Sequence, residues 1–147
     1  MQNDLWRLVY VSRNDTATDE DVEAILRTSR HRNASFGVTG ALLFNSGCFA
    51  QVLEGGHDTV QRLYERIQLD ERHTDVHLLD FDEIEERTFG HWSMGFVEEE
   101  SEAAHRFAGI AASTGFDPST LDGDLIFDLM YLHLAQSDAV DITDRSP

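Results

Sequence analysis

The sequence predicts an α+β domain, one mixed sheet with helices on both of its faces. Three observations predict it. Segments of strand and helix periodicity alternate as β-α-β-β-α-β-β between residues 5 and 97. The inner strand segments carry apolar residues on both sides, so both faces of the sheet need cover. A helix pattern at residues 121–135 (LDGDLIFDLMYLHLA) is apolar over more than half its circumference and can supply the second cover.

Residues 5–12 (LWRLVYVS) read as the first strand by their β-branched and aromatic content. Thr18, followed three residues later by Asp21, has the spacing of a capping pair. Behind it Val22, Ile25, Leu26 and Ser29 keep helical spacing and carry the first helix to about Arg32. Residues 38–44 and 48–54 are two strands joined through Asn45, Ser46 and Gly47, a hairpin signal, and Gly55-Gly56 ends the second of them. Val60, Leu63, Tyr64 and Ile67 form one stripe of a second helix, and residues 76–84 and 92–97 are the last strands. Ala104, Phe107, Ala108 and Ala111 give a modest third helix stripe, and a break at 115–118 precedes the apolar fourth helix. That last helix is expected to be buried against the sheet, with a partner or dimer contact on its remaining side. The tail, 137–147, is expected to be disordered.

This order is that of a ferredoxin-like sheet. On that reading the first and third strands are central, parallel neighbours, and two helices running in the same direction cover one face. Alternation places Leu8, Tyr10 and Ser12 on one side of strand one, with Val9 and Val11 on the other. It groups Phe49, Gln51 and Leu53 on one side of strand three, with Cys48, Ala50 and Val52 opposite.

Composition narrows the function. At 147 residues the chain suits one domain with one core. The formal charge of −17 argues against nucleic acid or an anionic membrane as partner. No apolar run is long enough for a membrane span, and the N-terminus has no signal-peptide pattern. A single cysteine, Cys48, cannot form an internal disulfide, which suits the cytoplasm. All eleven cations are arginine, and Arg27, Arg30, Arg32, Arg62, Arg66 and Arg72 fall at or near the ends of the two covering helices. Helices running in the same direction would gather these cations at one rim, as a phosphate site requires.

Gln51 is the anomalous letter in FAQVLEG. An amide buried without partners costs about 1–3 kcal/mol, so a partner is expected. Tyr10, on the adjacent central strand and the same face, can supply one hydrogen bond. An amide has further bonding positions, and Asn33 at the end of the first helix is a candidate neighbour. A cavity between the helices lined by Tyr10, Asn33 and Gln51 would suit a flat heteroaromatic ligand with carbonyl and ring-nitrogen acceptors. The plainer readings are a satisfied core amide for Gln51, a left-handed helix cap for Asn33, and dipole complements for the arginines.

Five segments in this order and spacing, RLVYVSR, RHRNASFGVTGALLF, FAQVLEG, YERIQLDERH and FGHWSMGF, resemble the BLUF family, the sensors of blue light using flavin. The resemblance covers residues 5 to about 98. It implies a flavin, FAD or FMN, between the two helices. It implies that Tyr10 is the photochemical electron and proton donor and that Gln51 links it to the flavin. It sets Asn33 at the polar edge of the ring and Ile25 and Ile67 against its faces. Arg66, Asp70, Arg72 and His73 match the segment near the ribityl and phosphate end, and Trp92 and Met94 match the pair near Gln51 that rearranges with light. Two positions depart from the family pattern. Arg32 stands where many members carry a second asparagine, near the ribityl chain, and Ala50 where a bulkier apolar residue is common.

The resulting expectation is a non-enzymatic photoreceptor in residues 1–98, with a helical extension at 99–136 packed on the sheet. Light would alter the Tyr10–Gln51–flavin hydrogen bonds, and the last strand would pass the change to the C-terminal helices. With no room for an output domain, the signal is expected to reach another protein, such as a nucleotide-cyclising or nucleotide-degrading enzyme or a transcriptional regulator, or to change self-association. The alternatives are a light-inert flavin or nucleotide binder and an acylphosphatase-like hydrolase built on Arg13 and Asn14, which lack a glycine-rich anion loop. Weaker constellations are His73 with His77, Cys48 with His57, and Ser93, none of which has the context its chemistry requires.

Overall fold

The computed structural model describes residues 4–14, 16–45, 47–71, 73–90, 92–97, 101–114 and 120–137. Its elements are β1 (Trp6–Arg13), α1 (Asp19–Phe36), β2 (Thr39–Asn45), β3 (Cys48–Gly55), α2 (His57–Leu69), β4 (Thr74–Glu83), β5 (Gly95–Val97), α3 (Glu102–Thr114) and α4 (Gly123–Ser137). The sheet runs β4-β1-β3-β2-β5. The α+β, ferredoxin-like reading holds, and the expected tail beyond residue 137 lies outside the described residues.

The strand directions correct the sequence reading. β1 and β3 are antiparallel, with Trp6 opposite Gly55 and Arg13 opposite Cys48. The physical reason is the β2–β3 hairpin, which reverses the chain and inserts β3 between β1 and β2, antiparallel to both. The helices that follow β1 and β3 therefore run in opposite directions, and the end of α1 lies beside the start of α2. No gathering of both C-termini at one rim is possible. α1 carries no basic residue in its last turn, α2 carries Arg66, and Arg72 lies outside the described residues.

α1 starts as its sequence requires. Thr18 Oγ1 accepts from the Asp21 amide at 3.2 Å, and Asp21 Oδ2 accepts from the Thr18 amide at 2.9 Å. Such a cap stabilises a helix by about 1 kcal/mol. Asp19, Glu20 and Asp21 face the positive end of the dipole. The helix runs four residues past the expected stop at Arg32 and closes on Gly37, which adopts φ +67° and donates its N–H to the Asn33 carbonyl. Asn33 is therefore not the cap, and its side chain is available for other work.

Alternation sorts the core into two layers, as expected. Leu8, Tyr10, Phe49 and Leu53 pack under Val22, Ile25, Leu63 and Ile67 of α1 and α2. On the other face Val9, Val11, Ala50 and Val52 pack against Ala104 and Phe107 of α3 and Ile126 and Met130 of α4. Each such aliphatic side chain withdrawn from water contributes about 1.5–3 kcal/mol. On α4, Leu125, Tyr131 and Leu132 stay exposed. No described helix is long and apolar enough to cross a membrane.

Candidate functional site

Tyr10 and Gln51 are directly paired residues of β1 and β3, so the ladder brings their side chains together on the face covered by α1 and α2. Tyr10 is fully buried and Gln51 is 2% exposed. The Tyr10 hydroxyl donates to Gln51 Oε1, and Gln51 Nε2 lies 3.4 Å from Met94 Sδ. The three side chains make one buried line: phenol, amide, thioether. Sulfur is a weak acceptor, and these two contacts use one lone pair and one hydrogen of the amide, so Gln51 can serve a further group.

The segment around Met94 is held from α1. Asn33 Nδ2 donates to the Ser93 carbonyl at 2.7 Å, and Arg30 Nε donates to the Met94 carbonyl at 2.9 Å. These bonds answer the question that Asn33 raised and fix where Met94 presents its sulfur. Arg30 acts here on the backbone of the Met94 segment, not at a phosphate rim. Trp92, the other member of the expected pair, lies in the opposite apolar layer with Phe89 and α4. The expected strand 92–97 is regular only over Gly95–Val97, and the preceding bend turns Trp92 and Met94 to different faces.

Beside the Tyr10 ring, at 6.2 Å between centroids, His73 is buried, with Nδ1 2.8 Å from Ser12 Oγ and its ring edge-on to Phe49. Tyr64 approaches Tyr10 with ring centroids 5.6 Å apart. Burial pushes the Tyr10 phenol far above its ordinary pKa; Tyr64 and the Asp70 carboxylate raise it further, and the Arg32 guanidinium opposes them. Tyr10 is thus a phenol at any physiological pH. The half-buried Arg32 and Asp70 both direct charge at it.

A cavity of about 560 Å³ opens between the last turn of α1 and one side of α2, lined by Phe36, Arg62, Leu63, Arg66 and Leu69 among others. That is the size of a small-molecule site. Tyr10, Gln51 and Asn33 are not among its lining residues; Leu63 belongs both to the cavity and to the apolar layer that contains Tyr10, Ile25 and Ile67. The residues present fit a planar ligand with acceptor edges and an anionic tail. Arg62 and Arg66 put two exposed guanidiniums on the cavity lining, and Ile25 and Ile67 are buried in the apolar layer that shares Leu63 with it.

Sequence reasoning missed several participants. Phe36 at the cavity was not singled out, and Arg62, expected only as part of a rim of helix-end arginines, lines the cavity beside it. Glu54 had a signal that passed unused: alternation puts it on the apolar side with Ala50 and Val52, the same anomaly as Gln51. It is fully buried and accepts from Arg7 Nε at 3.0 Å, the Thr88 amide at 3.0 Å and the Phe89 amide at 2.8 Å.

The family described as BLUF, sensors of blue-light using FAD, matches residues 5–95. The chain belongs to the BLUF family. Among curated relatives, the photoactivated adenylate cyclase subunit beta of Euglena longa is 39% identical over 98 residues, which is 65% of this chain. The chain spans only 11% of that relative's length, and the matched region is the sensor. Among solved structures, BlsA in its photo-activated state superposes with a TM-score of 0.73 at 32% identity, covering 88% of this chain and 94% of that one. BlrB, a BLUF protein in its dark state, superposes with a TM-score of 0.71 at 32% identity, covering 93% of this chain and 99% of that one. These two BLUF-type alignments extend past residue 95, so the likeness includes part of the C-terminal helical region. BLUF membership agrees with the buried Tyr10–Gln51 pair and the groove between the helices.

Proposed function

We propose that this BLUF chain is a blue-light photoreceptor that holds a flavin between α1 and α2 and reports its excitation through Gln51. The observation that carries this reading is the buried line from the Tyr10 hydroxyl through the Gln51 amide to the Met94 sulfur. Gln51 and Asn33 would serve the polar edge of the flavin, and Ile25 and Ile67 its faces. Arg32, Arg66, Asp70, Arg72 and His73 would serve its ribityl and phosphate end. These groups address the parts that FAD and FMN share.

A bound flavin supplies a blue-absorbing electron acceptor. Tyr10, kept as a phenol by burial, is the donor, and its proton has a route onto Gln51 Oε1. When the proton returns, the amide can settle in a second arrangement. A rotated amide turns its oxygen toward Met94, and an N–H···S contact becomes a repulsion between lone pairs. Met94 is then disfavoured where it stands, and the segment that Asn33 and Arg30 hold must adjust. Such a switch needs only two packings whose balance the amide biases.

The signal would pass from residues 1–98 through the helical extension at 99–136 to a separate effector in the cytoplasm, or change self-association. The cyclase relative names one effector class. Cys48, the single cysteine of the sequence, makes no internal disulfide, which suits a reducing compartment. The hydrolase reading fares poorly, because Arg13 is engaged by Asp75 at 2.6 Å and the Asn14 side chain caps the Thr16 turn.

The test is absorption of the flavin-loaded protein before and after a blue flash. A reversible red shift is expected in the parent and its loss, with flavin retained, in Gln51→Leu and Tyr10→Phe. A red shift that survives in Gln51→Leu refutes the role assigned to the amide.

A further inference from the structure

Arg7 joins three parts of the molecule that no single backbone element connects. Its guanidinium pairs with the buried Glu54 carboxylate on β3 at 2.9 Å and donates to Thr88 Oγ1 at 2.7 Å. Its carbon sits 4.3 Å from the centroid of the Phe127 ring on α4. Glu54 in turn holds the amides of Thr88 and Phe89, and the Phe89 ring meets Phe127 edge-on at 5.4 Å. The segment that carries Met94 is thus anchored at its start by Glu54 and near Met94 by Asn33 and Arg30.

The surroundings make this anchorage decisive for α4. The guanidinium lines a cleft of about 340 Å³ between the sheet and α4, whose walls also carry Asp80 and Asp82 from β4 and Asp124 and Asp128 from α4. Carboxylates facing one another across the cleft oppose docking of the helix, and Arg7 is the cation set among them. Its contact with Phe127 adds a cation–π attraction in the same place.

We propose that Arg7 is the positioning residue that couples the Gln51 strand and the 88–94 segment to α4, holding α4 on the sheet in the dark and loosening it when that segment shifts. The inference rests on the photoreceptor reading. A movement of Met94 relative to the Glu54 anchor strains the Thr88 and Phe89 contacts, and Arg7 shares both Thr88 and Phe127. Only a guanidinium can make these three contacts at once, because its fork and its flat face act together.

The experiment is hydrogen–deuterium exchange of residues 123–137 in the flavin-loaded full chain, in darkness and under blue light. Removing Arg7 alone would strand a buried carboxylate, so the variant is Arg7→Met with Glu54→Gln, which removes both charges and keeps an acceptor oxygen for one of the two loop amides. In the parent, light is expected to speed exchange in α4 several-fold. The double variant is expected to keep the flavin red shift while α4 exchanges fast in both conditions, with no light-dependent change. Phe127→Leu should shrink the light–dark difference with the red shift intact. A parental light–dark difference that persists at full size in the double variant overturns the proposal, as does a parent whose α4 does not respond to light. Loss of the red shift in the double variant alone also overturns it, since Arg7 and Glu54 would then belong to the flavin site. A parent without any red shift overturns the photoreceptor reading itself.

Discussion

Trp92 and Met94 stand two residues apart and face opposite sides of the sheet. Met94 meets the Gln51 amide under α1 and α2, whereas Trp92 packs with Phe89 against α4. The irregular backbone ahead of β5 permits this, because a regular strand would put residues i and i+2 on one side. Of the two, Met94 is the one that can sense the amide directly.

Met94→Leu keeps the volume and removes the sulfur, so the fold should lose less than about 1.5 kcal/mol. The dark flavin spectrum and the dark-recovery rate should both change, because Gln51 Nε2 loses its acceptor. Trp92→Phe should leave the position of the flavin bands unaltered. Flash spectroscopy of the two variants separates the roles; equal spectral effects would remove the distinction.

Asn33→Ala leaves the buried Ser93 carbonyl without the amide that now donates to it at 2.7 Å. The expected cost is about 1–3 kcal/mol of stability even without flavin. Urea titration of the flavin-free protein measures it, and an unchanged midpoint contradicts the assigned bond.

Alkaline stability should depend on Tyr10. Below the ordinary tyrosine pKa of 10.0 the phenol is protonated in both folded and unfolded chains. Above it the unfolded phenol ionises while the buried one keeps its proton, so the folded state binds more protons and stability falls as pH rises. The slope is at most about 1.4 kcal/mol per pH unit for one such group. Tyr64, also raised by burial, acts in the same sense. Tyr10→Phe should show a shallower decline in urea midpoint across this range; an equal decline would assign it elsewhere.

Asp80 faces α4, and a side chain at Gly123 would collide with its carboxylate, so the helix start sits directly on it. Burial first, then Asp124, Asp82 and Asp122, raise its pKa above the ordinary 3.8. A raised carboxyl favours the folded state when protonated, and that advantage is lost as pH rises through its folded pKa. Asp80→Asn should therefore raise the melting temperature at neutral pH, with the gain vanishing as pH falls toward 3.8. A gain that is the same at both ends would assign it to packing.

Much of this site was legible in the letters. Tyr10 and Gln51 could be paired because the side-chain period of a strand is fixed at two, and a polar residue within an apolar alternation needs a partner. Helical spacing put Ile25 and Ile67 on the buried stripes of their helices, and both lie in the apolar layer that contains Tyr10. Arg30 could not be assigned its role, because a long side chain reaching a backbone carbonyl leaves no periodic trace. The arginine rim failed for a different reason. It rested on helix direction, which follows from strand pairing and not from any property of the helices.

The sequence by itself determined the order of elements, the side of the sheet that the residues of β1 and β3 face, and the family. Those follow from local periodicity and from motifs that lie along the chain. The tertiary structure alone decided that β1 and β3 are antiparallel, that Met94 rather than Trp92 meets Gln51, and that Arg7 reaches Glu54, Thr88 and Phe127 together. Each of these depends on contacts between residues far apart in the chain, whose energies no local pattern records.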